Sequence, residues 1–205
     1  MSILQEVLGL SALVLGIVNG LTLLHHYLKD KPRLVVETVH PDVYQWWFRL
    51  PSGEYNGRAT RKYGFLAYVG VINRGLRKVS LGSWRLHINT LAGNKYGLRA
   101  INIPEPMSKL GDTGNMKLWP VLGTRGLFFP GETLVDSGTS ISGMAYYIAE
   151  FWGGDTHNPR ISSGRIAAQF VVEDAFGRKS SARIVFSEVP LGRAKSLIED
   201  IDRIG

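Results

Sequence analysis

The first pattern along the chain is an unbroken apolar run near its N-terminus. Residues 7–24, VLGLSALVLGIVNGLTLL, contain no charged side chain. As a helix with about 1.5 Å rise per residue this run spans roughly 27 Å, close to the ~30 Å hydrocarbon core of a bilayer. A secretory signal would need a basic start and a small-x-small cleavage site, and neither MSILQE nor the residues after Leu24 provide them. The pattern therefore predicts a retained transmembrane helix within residues 1–30.

Beyond Pro32 the hydrophobic pattern changes to short stretches that are typical of β-strands. Residues 33–39 and 65–72 are rich in β-branched and aromatic side chains, which favour strands. In residues 84–90 apolar and polar positions alternate strictly, with His87 on the polar side. A period of two with one apolar face predicts a half-buried strand.

The pattern in residues 165–187 predicts a β-hairpin, because apolar residues alternate on both sides of a turn at residues 173–178. Several short strands separated by turn residues predict a mainly β fold, an antiparallel immunoglobulin-like β-sandwich, over residues 31–190. After Pro190 the spacing of apolar residues predicts a short amphipathic C-terminal helix over residues 191–205.

Small residues follow one face of the predicted membrane helix. Ala12, Gly16 and Gly20 are spaced four residues apart, and Asn19 lies beside them. Small side chains at this spacing let two helix backbones approach closely, and an amide can hydrogen-bond across the contact. We therefore expect self-association or docking on another membrane helix through these four residues. The alternative is that glycine is simply common in membrane helices.

Basic residues dominate the part of the chain that follows the helix. The chain has 24 Lys and Arg against 17 Asp and Glu, a net charge of +7, and no basic residue precedes Lys29. We expect Lys29, Lys31 and Arg33 to contact lipid head groups. The positive-inside rule then places the N-terminus outside and the β domain in the cytoplasm. A translocated anchor would instead place the domain in a periplasm or lumen. Because no nucleic-acid-binding motif occurs, we do not expect nucleic acid as a partner.

Two stretches do not fit simple strands and predict long loops, which are often functional. They are residues 104–124 and 142–164. Aromatic residues are favoured at interfaces, so an exposed cluster in the second stretch would be a partner-binding or membrane-dipping patch. Its members are Tyr146, Tyr147, Phe151 and Trp152. The alternative is a short inserted helix packed on the sandwich. Trp46 and Trp47 raise the same question, because a strand would direct one ring inward and the other outward.

The sequence predicts no catalytic, cofactor or metal site. It has no cysteine, which excludes disulfides, a thiol nucleophile and a Cys zinc site. It contains no phosphate-binding loop, nucleophile elbow or zinc-protease motif. An acid, a hydroxyl and a histidine crowd together only at residues 155–158, where Gly153, Gly154 and Pro159 favour a turn.

Four short motifs accompany the apolar anchor: a K-P-R-L-V-V start at residues 31–36, an N-x-G turn at residues 73–75, a P-G-E turn at residues 130–132 and a D-x-x-G-R hairpin at residues 174–178. In this combination the chain resembles a widespread type of uncharacterised bacterial single-pass membrane protein with an immunoglobulin-like domain. The resemblance implies the fold and the anchor, and it implies no activity.

We therefore expect a membrane-anchored binding or scaffold module. Its partners would be the bilayer, a second protein, or another copy of the membrane helix. The alternatives are a periplasmic domain that binds a ligand or glycan, and a hydrolytic enzyme built on the same fold, for which Asp155 and His157 would have to lie within hydrogen-bond reach.

Overall fold

The chain is mainly β, with one long helix at its N-terminus. The computed structural model describes residues 3–30, 33–40, 44–103, 107–110, 114–117, 122 and 134–204. The two helices are α1 (Ile3–Lys29) and α2 (Leu191–Lys195). The strands are β1 (Leu34–Thr38), β2 (Trp46–Leu50), β3 (Glu54–Tyr55), β4 (Arg58–Ala59), β5 (Arg61–Asn73), β6 (Val79–Asn89), β7 (Lys95–Arg99), β8 (Met107–Leu110), β9 (Gly114–Lys117), β10 (Leu134–Val135), β11 (Ser140–Phe151), β12 (Ile161–Ser162), β13 (Arg165–Asp174) and β14 (Lys179–Glu188).

Helix α1 is the apolar run of the sequence. Its segment Gly9–Leu28 is long and apolar enough to cross a membrane, and none of that segment is buried inside the protein. The apolar core helix of a soluble protein would bury one face against its own domain. Here the leucines and valines of the segment are exposed all round the helix, which is the surface that a lipid environment would cover.

The main sheet has ten strands, and β5 lies beside β11 at one edge of it. On one side β5 pairs along its length with β11, and on the other side it pairs with β2 and then β1. The sheet continues from β2 through β14, β13 and β6 to β7 and β10. The pairing of β14 with β2 is parallel. The sheet is therefore mixed, and the expectation of a purely antiparallel fold is wrong at this junction.

The main core lies between two parts of this sheet. Phe65 of β5 contacts Phe186 of β14 with ring centroids 5.4 Å apart. Tyr147 of β11 contacts Phe170 of β13 at 6.4 Å. The wall formed by β1, β2, β5 and β11 thus faces the wall formed by β6, β13 and β14 across one continuous apolar cluster.

A second core covers the other face of β2, β5 and β11. It contains Trp46, Phe48 and Tyr146 from the strands, and Ile198 and Ile201 from the C-terminal segment. The rings of Phe48 and Tyr146 stack at 6.2 Å, and the hydroxyl of Tyr146 donates a hydrogen bond of 3.1 Å to the carbonyl of Ile201. This wall is therefore buried on both of its faces.

The C-terminal helix is shorter than predicted. Helix α2 ends at Lys195 and turns follow it, because Ser196 donates its hydroxyl to the carbonyl of Arg193 and such bonds compete with the helix. Within the turns that follow, Asp202 pairs with Lys195 at 2.7 Å.

The two predicted loops are also partly wrong. The first half of residues 142–164 belongs to strand β11 and is neither a loop nor a helix. Residues 104–124 contain the hairpin of β8 and β9, while other parts of this stretch, and the P-G-E turn at residues 130–132, lie outside the described residues. The predicted hairpin in residues 165–187 is confirmed by the pairing of β13 with β14.

Candidate binding surface

The aromatic cluster predicted as a contact patch is mostly buried. Tyr146 and Tyr147 are fully buried and Phe151 nearly so, whereas Trp152 is 56% exposed. Successive residues of β11 point to opposite faces, and each face meets one of the two cores. The expectation of an exposed patch is therefore wrong for the first three residues. Burial also raises the pKa of both tyrosines far above its ordinary value, so their hydroxyls stay neutral.

Of the crowded residues 155–158, Asp155–His157 form an exposed 3₁₀ turn and Asn158 follows it. Arg61 donates hydrogen bonds to the carboxylate of Asp155 and, at 2.7 Å, to the carbonyl of Gly153. Among the described residues no hydrogen bond joins Asp155 to His157. The carboxylate thus holds this turn against the start of β5, and the geometry that the hydrolase alternative requires is not formed here.

A row of basic side chains covers the outward face of β14, β13, β6 and β7. The registers place Arg183, Gln169, His87 and Gly97 side by side in one row across the four strands. Every second residue on each strand shares that outward face. We call its cations the basic face: Arg85, Lys95, Arg99, Arg165, Lys179 and Arg183.

Little on the sheet neutralises these charges. Among the outward positions of the four strands Glu173 is the sole acid, and its carboxylate faces Ser83. Arg85 and Arg99 lie directly opposite each other on β6 and β7, and like charges in that position destabilise a sheet. Neither of them, nor Arg183, forms an ion pair with a described acid. An anion that bound here would relieve this repulsion.

His87 lies at the centre of the basic face, and both burial and the surrounding positive charges affect its pKa. Its Nδ1 is buried and has no hydrogen-bond partner in the part of the chain that the structure describes. Burial first, and then the charges of Lys95, Arg85 and Lys179, lower the pKa of His87 below its ordinary value. The imidazole is therefore neutral at neutral pH. Gly97 leaves room for this ring, because a Cβ atom there would lie 3.3 Å from Nε2.

The small-residue stripe of α1 is open. Side chains or backbone at Ala12, Gly16, Asn19 and Gly20 are all exposed, and a Cβ atom added at either glycine meets nothing within 4 Å. The side-chain amide of Asn19 forms no hydrogen bond with any described residue. The stripe is thus available for a second helix, and self-association stays a prediction.

The three residues expected at the lipid head groups lie at the junction between helix and domain. Lys29 is the last residue of α1, Lys31 lies outside the described residues, and Arg33 is exposed immediately before β1. The carbonyl of Arg33 accepts a hydrogen bond of 2.8 Å from the backbone of Arg74. The start of the domain is thereby fixed beside the loop that joins β5 to β6.

Comparisons with known proteins assign no family to the chain. No protein-family model matches it, and no curated protein does. Solved structures that match include a structural-genomics target with 11% identity and a TM-score of 0.33, covering 78% of this chain and 89% of the target. A Bordetella pertussis protein provisionally named ApaA has 8% identity and a TM-score of 0.30, covering 78% and 96%. A FixG-related protein from Vibrio parahaemolyticus has 10% identity and a TM-score of 0.31, covering 78% and 97%. Likenesses this weak carry no conclusion about function.

Proposed function

We propose that the chain is a non-catalytic, membrane-anchored binding module whose basic face captures an acidic segment of a partner protein. In this proposal α1 crosses the bilayer with its N-terminus outside, and a domain of the immunoglobulin-like sandwich class lies in the cytoplasm. The observation that carries the proposal is the basic face itself, six cations with one acid on one side of four paired strands.

Charge complementarity favours an acidic protein segment as the occupant. A sheet face that carries several guanidinium and ammonium groups fits carboxylates, because each guanidinium can donate two hydrogen bonds to one carboxylate. Electrostatic attraction of this kind accelerates association as well. The paired strands fix the backbone positions of the cations, so only their side chains have to be ordered on binding.

Single-stranded nucleic acid is a poorer fit. Sheet faces that bind single strands stack bases on exposed aromatic rings. The outward positions of β6, β7, β13 and β14 carry no Phe, Tyr or Trp, and the imidazole of His87 is only half-exposed. Tyr96, the aromatic residue of β7, has its ring against Phe151 instead.

Self-association of α1 is the second part of the proposal. Gly16 and Gly20 leave the helix backbone bare on one face, and Asn19 beside them has an amide with donors and acceptors that lipid cannot satisfy. A second copy of the helix would supply both the close contact and the hydrogen bonds. Two copies of the domain would then present two basic faces to one partner, which strengthens binding through effective concentration.

Binding of an acidic probe tests the proposed function. The full-length chain is placed in nanodiscs of phosphatidylcholine, and binding of a fluorescent poly-glutamate peptide is measured by anisotropy. We expect Arg85→Glu to weaken binding by about 1–2 kcal/mol, roughly tenfold in Kd. The matched control is Arg58→Glu, which changes net charge equally on the exposed strand β4 and should leave Kd nearly unchanged.

Two results would contradict the proposal. Equal losses in the Arg85→Glu and Arg58→Glu variants would mean that only net charge matters. Tighter binding of a single-stranded oligonucleotide than of poly-glutamate, at the same salt concentration, would identify the partner class as nucleic acid. Salt must be held constant because both interactions weaken as it rises.

A further inference from the structure

The loop between β5 and β6 presents an exposed leucine from a rigid frame. Asn73 is fully buried; its amide donates to the carbonyl of Arg77 at 2.7 Å, and its oxygen accepts the backbone N–H of Gly75 at 2.9 Å. Leu76 projects from this frame with 53% of its surface exposed. A rigid loop loses little entropy when its apolar tip is buried.

The turn between β13 and β14 repeats this construction. Asp174 is buried, and one of its carboxylate oxygens accepts the backbone N–H groups of Phe176 and Arg178 at 2.8 and 2.9 Å. Phe176 is 71% exposed, which is unusual for so large an apolar side chain. Two separate turns are therefore each organised by a buried polar side chain that holds a bulky apolar residue in solvent.

Both turns lie at the end of the domain that carries the anchor. The backbone of Ala175 donates a hydrogen bond of 2.9 Å to the carbonyl of Ser80, near the start of β6, so the second turn is adjacent to the first. Arg77 of the first turn pairs with Asp30, directly after α1, at 2.8 Å. The two exposed apolar residues are thus placed where α1 meets the domain.

Cations lie close to these two apolar residues along the chain. Arg74 and Arg178 are each two residues from one of them, and the carbonyl of Arg33 accepts the backbone N–H of Arg74. None of these three arginines has an ion pair with a described acid. Of the described acids at this end, Asp30 and Asp136 pair with one cation each. Asp174 is buried and accepts the backbone N–H groups of its own turn, and Glu173 lies opposite Lys179 in the register. This combination of exposed apolar tips and unmatched cations suits an anionic lipid surface, where apolar groups enter the boundary of the acyl chains and cations bind the head groups.

We propose that the domain docks with this end on the anionic surface of the bilayer, inserting Leu76 and Phe176 at the level of the head groups. The inference rests on the proposed function, because α1 must cross the same bilayer for the domain to be held there. Docking fixes the strands upright on the membrane and leaves the basic face, which runs along them, turned sideways and free for a partner.

A single fluorescent label tests the docking. The chain has no cysteine, so Ala175→Cys gives one labelling site that keeps both apolar tips. The label is a nitrobenzoxadiazole dye, read in the full-length chain in nanodiscs that contain head-group-labelled nitroxide lipids. With about 30% phosphatidylserine we expect strong quenching, and weaker quenching in phosphatidylcholine alone. A label at Trp152→Cys, at the other end of a 12-residue strand and thus roughly 40 Å away, should stay unquenched.

Variants in the labelled Ala175→Cys background separate the contribution of the apolar residues from that of the cations. Leu76→Ser with Phe176→Ser should abolish the quenching, whereas Val185→Ser, an exposed apolar residue on the side of the sheet, should not. Arg74→Glu should lower the ratio of docked to undocked domain by about fivefold or more, as expected for one lost head-group contact.

A label at Leu15→Cys, within α1, distinguishes the two ways in which the inference can fail. If acyl-chain nitroxides quench this label and head-group nitroxides leave the Ala175→Cys label bright, the anchor crosses the bilayer but the docking is wrong. If the Leu15→Cys label is not quenched, α1 does not cross the membrane and the proposed function fails together with the docking.

Discussion

Truncation of Ile201 tests whether the C-terminal segment is part of the folded domain. The side chain of Ile201 is fully buried in the second core, so Ile201→Ala removes packed methyl groups and leaves a cavity. Such changes cost about 2–5 kcal/mol. The backbone carbonyl still accepts the hydroxyl of Tyr146, so the whole loss reports packing. For a domain of this size, a loss of that order lowers Tm by roughly 5–15 °C.

The assay is unfolding of the full-length chain in detergent micelles by guanidinium chloride, followed by tryptophan fluorescence. Of the five tryptophans in the chain, Trp46 lies in the second core, with Arg193 of α2 4.8 Å from its ring, so the total emission includes a contribution that changes when this segment is released. Glu199→Ala is the control, because that side chain is exposed in the same segment. If Ile201→Ala unfolded at the same denaturant concentration as Glu199→Ala, the segment would not be packed as described.

The remaining predictions concern the backbone, the membrane helix and pH. Gly64→Ala should cost about 1–3 kcal/mol, because its methyl group would overlap the ring of Phe48; Phe48→Leu in the same chain should recover part of that loss in a denaturant titration. Gly16→Ile should reduce the oligomer size measured by light scattering in detergent, and an unchanged size would remove self-association. The pKa of His87 is lowered in the folded chain, so the unfolded chain takes up the proton first. Stability should therefore fall as pH drops below about 6.5, and the fall should be shallower in His87→Gln.

Elements with one buried face could be predicted from the sequence. The hairpin of β13 and β14 and the alternation in β6 have one apolar and one polar side, and the structure confirms both. The apolar helix could also be predicted from the sequence, because an uncharged apolar run of that length is typical of a membrane-spanning helix.

Elements with two buried faces could not be predicted from alternation. Trp46 and Trp47 do point to opposite sides, but both rings are buried because a core lies on each side of β2. Strand β11 carries apolar residues at consecutive positions for the same reason, and it therefore shows no period of two. The C-terminal segment that covers this wall is distant in sequence, so nothing local indicated that the tyrosines would be buried.

The basic face was only partly visible in the sequence. The outward positions of Arg85 and Arg183 follow from the alternation of their strands. Strand β7, which contributes Lys95 and Arg99, has no clear pattern because Gly97 interrupts it. The neighbouring order of the four strands is a property of the topology, and only that order turns scattered cations into one surface.

The side of the membrane on which the basic face lies is the most direct test of the proposed function. Val185→Cys places a single thiol on the exposed outward side of β14, in a chain without other cysteines. A membrane-impermeant maleimide is applied to right-side-out and inside-out vesicles that contain the full-length chain. We expect labelling of inside-out vesicles alone, whereas labelling of right-side-out vesicles would contradict a cytoplasmic basic face.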